Sequence, residues 1–232
     1  MIEEGYILKF HSLVDFLTDI ANAIRKVLGL TEDINATDFS NKIKEIELIP
    51  LKPLIEKTIV EASYEHILST GRYAFCECSL LKDVAFPNCI EIGYGTFIGC
   101  SNLTSVCFPE CTSINHLAFQ SCTGLTSIEL PKCQQIGGSA FMGCSNLQVA
   151  SFPAAINLQQ SAFAKCYNLT SLYLLGNQVC SLYNSAVFSS TPIAGYSQSA
   201  NSYGSIYVPA SLVENYKSSG NWSFYADRFV GV

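Results

Sequence analysis

Basic charge is scarce in this chain. Lysine and arginine number 13 against 19 acidic residues in 232, a formal net charge of -6 and a pI near 5.0. No basic stripe exists to neutralise a phosphate backbone, which argues against nucleic acid as a partner. Charge of either sign is thin at 14%. It is also uneven: residues 1–50 hold 14 of the 32 charged side chains, while Ile92 to Cys180 hold Glu110, Glu129, Lys132 and Lys165 alone. Carboxylates that sparse do not pair as general acid and base. Histidine occurs at His11, His66 and His116, none with a nucleophile at motif spacing. G-x-S-x-G, H-E-x-x-H and the phosphate loop are all missing, and Gly93-x-Gly95 has no helix behind it to face a phosphate. No enzyme, cofactor or metal site is expected. No run of 18 apolar residues occurs, so no membrane-spanning helix is expected. The start, MIEEGYILKFH, lacks the apolar core of a secretory leader; the expectation is that either the protein is not exported by that route or the leader has been removed.

What the chain does hold is a period. Phe75, Phe97, Phe119, Phe141 and Phe163 recur at one fixed interval of twenty-two, as do Cys78, Cys100, Cys122, Cys144 and Cys166, and Leu81, Leu103, Leu125, Leu147 and Leu169. A fixed period in this range marks a solenoid, one stacked coil per repeat. Within a coil, L-x-x-V-x-F (Leu103 to Phe108) ends in the alternation of a half-buried strand. Pro87, Pro109, Pro131 and Pro153 stop each strand by withholding a ladder donor. A lone coil leaves two apolar cross-sections bare, so neighbours must cover them.

The 11 cysteines fall mostly into two columns, the second being Cys89, Cys111 and Cys133. Equivalent positions in neighbouring coils lie about 4.8 Å apart, within reach of a bridge. Stacked thiols acting as small inward-facing hydrophobes are the simpler reading. Cys76-x-Cys78 lacks the gap and second pair of a zinc site. Cys107 differs, since its strand position points outward.

The pattern C-x-x-L-x-x-[VI]-x-[FL]-P followed by I-G-x-x-A-F-x-x-C, carried in full by Cys122, Leu125, Ile128, Leu130, Pro131, Ile136, Gly137, Ala140, Phe141 and Cys144, closely resembles the BspA-type (Treponema-type) leucine-rich repeat of bacterial surface proteins. The resemblance covers about Thr70 to Leu174. It implies a curved right-handed solenoid with one short strand per coil on the concave side. Thr70 departs from the pattern in place of Ile, Ala150 in place of the strand Val, and Leu175 in place of Pro.

Residues 1–53 are expected to form a helical N-terminal cap or module and linker, 54–194 the solenoid, and 195–232 a polar loop and a strand-helix C-terminal cap. Leu13, Phe16, Leu17, Ile20, Ile24, Val27 and Leu28 recur at helical spacing. The string DIANAIRKVLGLTEDINATDFSNKI resembles a helical module of phage-tail and gut-bacterial surface proteins. Thr58 to Ile67 reads as a degenerate first coil. After Leu174 the period breaks; Ala186, Phe188 and Ile193 echo a further coil one or two residues out of register. SIYVP reads as a last strand and SLVENYKSS as a short helix. Asn221 is a candidate N-cap, with Trp222, Phe224, Tyr225 and Phe229 free to cover the last coil.

On the concave face, the residues flanking the buried strand position point outward. Asp83, Ser105, Cys107, Ser127, Glu129, Ser151, Ser171 and Tyr173 are the candidate binding residues, with Ala85 and Val149 between them. Tyr167, Tyr173, Tyr183, Tyr196, Tyr203 and Tyr207 form a tyrosine-rich end, and exposed tyrosine suits protein or glycan binding. The expected function is a non-enzymatic binding or adhesion scaffold at the cell surface or outside the cell, taking a protein or glycan of a host or neighbouring cell. The alternative is a structural or receptor-binding part of a phage tail, in the particle or the cytoplasm. A hydrolase is a third and weaker reading.

Overall fold

The computed structural model describes residues 61–63, 65, 67–195 and 202–232. The helical module expected over 1–53, Tyr196, His11 and His66 lie outside the described residues.

Each coil contributes a three-residue strand whose middle side chain turns inward. Numbered along the chain with the short strands below, these are β1 (Glu61–Ser63), β2 (Asp83–Ala85), β4 (Ser105–Cys107), β6 (Ser127–Glu129), β8 (Val149–Ser151) and β10 (Ser171–Tyr173). β12 (Ser205–Val208) and β13 (Phe229–Gly231) extend the series, and all paired neighbours run parallel. β1 pairs with β2 in the register of one full repeat, Glu61 beside Asp83, so Glu61–Ser63 occupies the strand position of a coil ahead of the first match to the pattern. A second parallel ladder accompanies the expected one: β3 (Glu91–Ile92), β5 (Ser113–Ile114), β7 (Gln135–Ile136), β9 (Asn157–Leu158) and β11 (Ser181–Leu182) form one continuous sheet. Two residues are too few to show alternation, which is why the sequence pattern displays one strand per coil and the structure two.

A third hydrogen-bond ladder runs through the return path. The N–H groups of Phe75, Phe97, Phe119 and Phe141 each reach the carbonyl of the small residue one coil on, Thr96, Ala118, Ala140 and Ala162, at 2.7–2.8 Å. The residues two before and two after each Phe do the same. To aim every second N–H along the axis, the chain takes left-handed backbone on either side of the ring. Tyr73, Gly95, Leu117, Ser139 and Ser161 have φ of 54–61°, and Glu77, Gly99, Ser121, Gly143 and Lys165 have φ of 60–77°.

Inside, the phenylalanines stack. Ring centroids of Phe75, Phe97, Phe119, Phe141 and Phe163 are 5.1–5.4 Å apart in sequence, with interplanar angles of 2–16°. Phe188 continues the column 5.8 Å from Phe163. It falls later than the period places it, and Val187 rather than Ala186 fills the alanine slot, its carbonyl accepting from Phe163. The offset is therefore three positions and not one or two. The departure at Thr70 is compensated: its hydroxyl lies 2.8 Å from that of Thr96, which replaces the usual Ala, and accepts from the Gly93 N–H at 2.7 Å. A paired buried hydroxyl avoids the cost of an unsatisfied one.

The C-terminal cap consists of β12, helix α1 (Val213–Ser218), a 3-10 stretch (Gly220–Arg228) and β13. Trp222 and Tyr225 are buried against Phe188. Their polar ends satisfy the last coil: Trp222 Nε1 donates to the Cys180 carbonyl, Tyr225 Oη to that of Ser185, and the Cys180 N–H donates to Tyr216 Oη at 2.9 Å. Asn221 is no N-cap. Its amide donates 3.0 Å bonds to the carbonyls of Leu182 and Tyr183, closing the end of the short-strand sheet. Phe224 is 71% exposed and covers nothing.

Candidate functional site

The long strands place their outward residues in two columns. Asp83 and Ser105 are register partners, then Ser127, Val149, Ser171 and Ser205. The second column runs Ala85 to Cys107, then Glu129, Ser151, Tyr173, Tyr207 and Val230. Asp83, Ser105, Cys107, Ser127 and Glu129 are exposed, while Ser151, Ser171 and Tyr173 are half-buried. All eight predicted residues thus share one face. Ser205 escapes the sequence pattern because β12 begins well past the point where the period places the next strand. S-I-Y-V-P at 205–209 nevertheless repeats the form of S-I-E-L-P at 127–131, and that likeness is the signal that finds it.

Tyr173 and Tyr207 lie parallel, centroids 4.4 Å apart at an interplanar angle of 10°. Tyr183 follows β11 on the short-strand side, and Tyr203 lies under the Arg228 guanidinium at 4.1 Å.

All 11 cysteines are free thiols. Those of Cys100, Cys122, Cys144 and Cys166 donate at 3.0–3.1 Å to the carbonyls of Phe75, Phe97, Phe119 and Phe141, so the column is a hydrogen-bonded ladder as well as an apolar one. Burial pushes the Cys89 thiol up to about 11 and those of Cys144 and Cys180 to about 12, holding them protonated and inert. The Cys111 thiol donates to the Ser113 carbonyl at 3.3 Å and that of Cys133 to the Gln135 carbonyl at 3.5 Å. No group of three His, Cys, Asp or Glu could hold a metal among the described residues. His116 is exposed, with Nδ1 3.0 Å from the Gly138 carbonyl and its ring lying where a Cβ on Gly138 would meet Cε1 at 2.3 Å. Asn102 ties coils together through a 2.7 Å bond to the Ser79 carbonyl. None of the described helices is long and apolar enough to cross a membrane.

Comparison with known proteins agrees with this geometry. The family described as BspA type leucine rich repeat region matches residues 68–194 in six copies. No curated protein matches the chain. Among solved structures, it is similar to a leucine rich cell surface protein of Faecalibacterium prausnitzii, at 21% identity and a TM-score of 0.53, covering 65% of this chain and 39% of that one. It is also similar to a leucine rich repeat protein of T. pallidum, at 22% identity and a TM-score of 0.43 over 55% of this chain and 74% of that one. A third likeness is a leucine-rich repeat protein of Bacteroides ovatus, at 22% and 0.38, covering 53% and 45%. The chain therefore spans well under half of the first of these.

Proposed function

From the premise that this chain belongs to the BspA-type leucine-rich repeat family, we propose that it is a non-enzymatic binding scaffold that presents its long-strand face to a protein or glycan outside the cell. The observation that carries this reading is the register of the two outward columns. They join a stretch of small, hydroxyl-bearing side chains to the stacked pair Tyr173–Tyr207 at one end. Stacked aromatic rings offer large contact area with little rotamer freedom left to lose. Sparse charge leaves few ions to desolvate on contact. A surface setting is supported by the resemblance to a leucine rich cell surface protein. Adhesion to a host or neighbouring cell is the corresponding role.

The test is binding of the purified chain to panels of extracellular-matrix proteins and surface glycans. For any ligand found, Tyr173→Ala combined with Tyr207→Ala should weaken binding roughly ten-fold or more, as loss of an interface aromatic does, with the circular dichroism spectrum unchanged. Ligands that bind the double variant as well as the parent chain would remove the long-strand face from consideration.

A further inference from the structure

On the long-strand side, the boundaries between successive coils are closed by one set of bonds. The N–H groups of Thr104 and Ser105 reach the Lys82 carbonyl at 2.9 and 3.1 Å, and the Phe86 N–H reaches the Cys107 carbonyl at 3.0 Å. Gln148 and Val149 repeat the first two on Thr126, and Leu130 repeats the third on Ser151. Thr170, Ser171 and Phe152 do so one coil later. Between β4 and β6 all three bonds are missing, from Thr126 and Ser127 to the Thr104 carbonyl and from Phe108 to that of Glu129. Across the same boundary the other two ladders hold, with Gly137 N–H on the Ile114 carbonyl at 2.8 Å and Phe119 N–H on that of Ala140 at 2.7 Å. β4 and β6 are therefore facing edges of a three-stranded and a five-stranded sheet. Val106, at this seam, is half-buried, whereas Val84, Ile128, Ala150 and Leu172 in its row are buried.

Unpaired N–H and C=O groups aligned along an extended edge form a template on which another extended main chain can pair. The strands near the seam carry Asp83 and Glu129 outward, and the nearby Lys132, three residues past Glu129, is already paired across the boundary with Glu110 at 2.6 Å. We infer that the seam between β4 and β6 is a docking site for an extended cationic peptide segment, whose main chain pairs with the free edges while its outward lysine or arginine side chains face Glu129. Its inward residues would be small, filling the space beside Val106. The inference rests on the long-strand face being the binding surface, and it selects a peptide over a glycan.

The probe is an acetylated ten-residue peptide of alternating lysine and threonine, titrated into the whole chain beside a copy with alternate amides N-methylated. Methylation keeps the charge and removes main-chain donors, so it should weaken binding more than about ten-fold. In the free protein, the amides of Phe108, Thr126 and Ser127 should exchange faster than those of Phe86 and Leu130, and the peptide should slow them. Glu129→Cys sets a thiol opposite Cys107 by the coil register; oxidised to a disulfide, it closes the seam and should abolish binding, while the reduced form retains at least the main-chain pairing. Equal binding of both peptides, no binding of either, or Phe108 and Thr126 amides as slow as Phe86 and Leu130 in the free protein would each overturn the seam. A ligand that still depends on Tyr173 and Tyr207 after such a result leaves the face itself standing.

Discussion

Ser161 holds φ at 57° and Lys165 at 62°, in positions that Gly95, Gly99 and Gly143 fill in other coils. Left-handed backbone brings Cβ against the carbonyl oxygen and costs about 1–2 kcal/mol for a side-chain-bearing residue. That cost is offset because these residues keep the return-path ladder aligned. Ser161→Gly should therefore raise stability by about 0.5–1 kcal/mol after the glycine's extra unfolded-state entropy is subtracted, an upward shift of about 1–4 °C in Tm for a chain of this size. Thermal melts decide it; a fall in Tm would mean that the local geometry is not held by the ladder. Thiol exposure makes a second residue-scale prediction. Cys107 is exposed, while Cys78, Cys89, Cys100, Cys111, Cys122, Cys133, Cys144, Cys166 and Cys180 are buried. Alkylation of the native protein should label Cys107 ahead of those nine, and mass spectrometry of the digest should find them modified only after denaturation.

Among the elements, the C-terminal cap has the clearest energetic role. The open end of a coil carries both apolar surface and unpaired carbonyls. Trp222 answers both, with its ring against Phe188 at 5.9 Å and its indole N–H on the Cys180 carbonyl. Tyr216 and Phe229 pack on the other sides of that ring, at 5.4 and 5.8 Å. Trp222→Ala should cost about 3–5 kcal/mol, and the exposed coil should promote association. Chemical denaturation and light scattering test the two parts separately. The Lys132–Glu110 pair, at 2.6 Å between neighbouring coils, is exposed on both sides and should contribute no more than about 1 kcal/mol.

At the scale of the molecule, the buried titratable groups act together. Tyr216 and Tyr225 are pushed up to about 12 by burial, alongside Cys89 at about 11 and Cys144 and Cys180 at about 12. Each folded value lies above its ordinary one. Below about pH 8 these groups keep their protons in both states, and folding is unaffected by them. Above it the unfolded chain ionises first, thiols before phenols, so stability falls as pH rises from about 8 to 12. All five shifts have the same sign, so their effects on stability add. Melting curves at constant ionic strength should be level from pH 7 to 8 and descend beyond; a level profile to pH 11 would contradict the buried assignment of these side chains.

The sequence alone determined the coil, because a side chain that returns at a fixed interval meets its own kind along the axis. Phe97 on Phe119 and Cys122 behind the Phe97 carbonyl are direct consequences of that repetition. It also determined which strand residues turn outward, since alternation survives in a three-residue strand. Tertiary structure decided what no period records. Left-handed backbone at Leu117 and Ser139 arises because the neighbouring coil supplies the carbonyls that hold it there, and neither residue type announces it. The pairing of Thr70 with Thr96, the placing of Ser205 beside Ser171 across the break in the period, and the unpaired edges of β4 and β6 depend on how one coil settles on the next. Such contacts belong to pairs of coils, and a pattern read within one coil does not contain them.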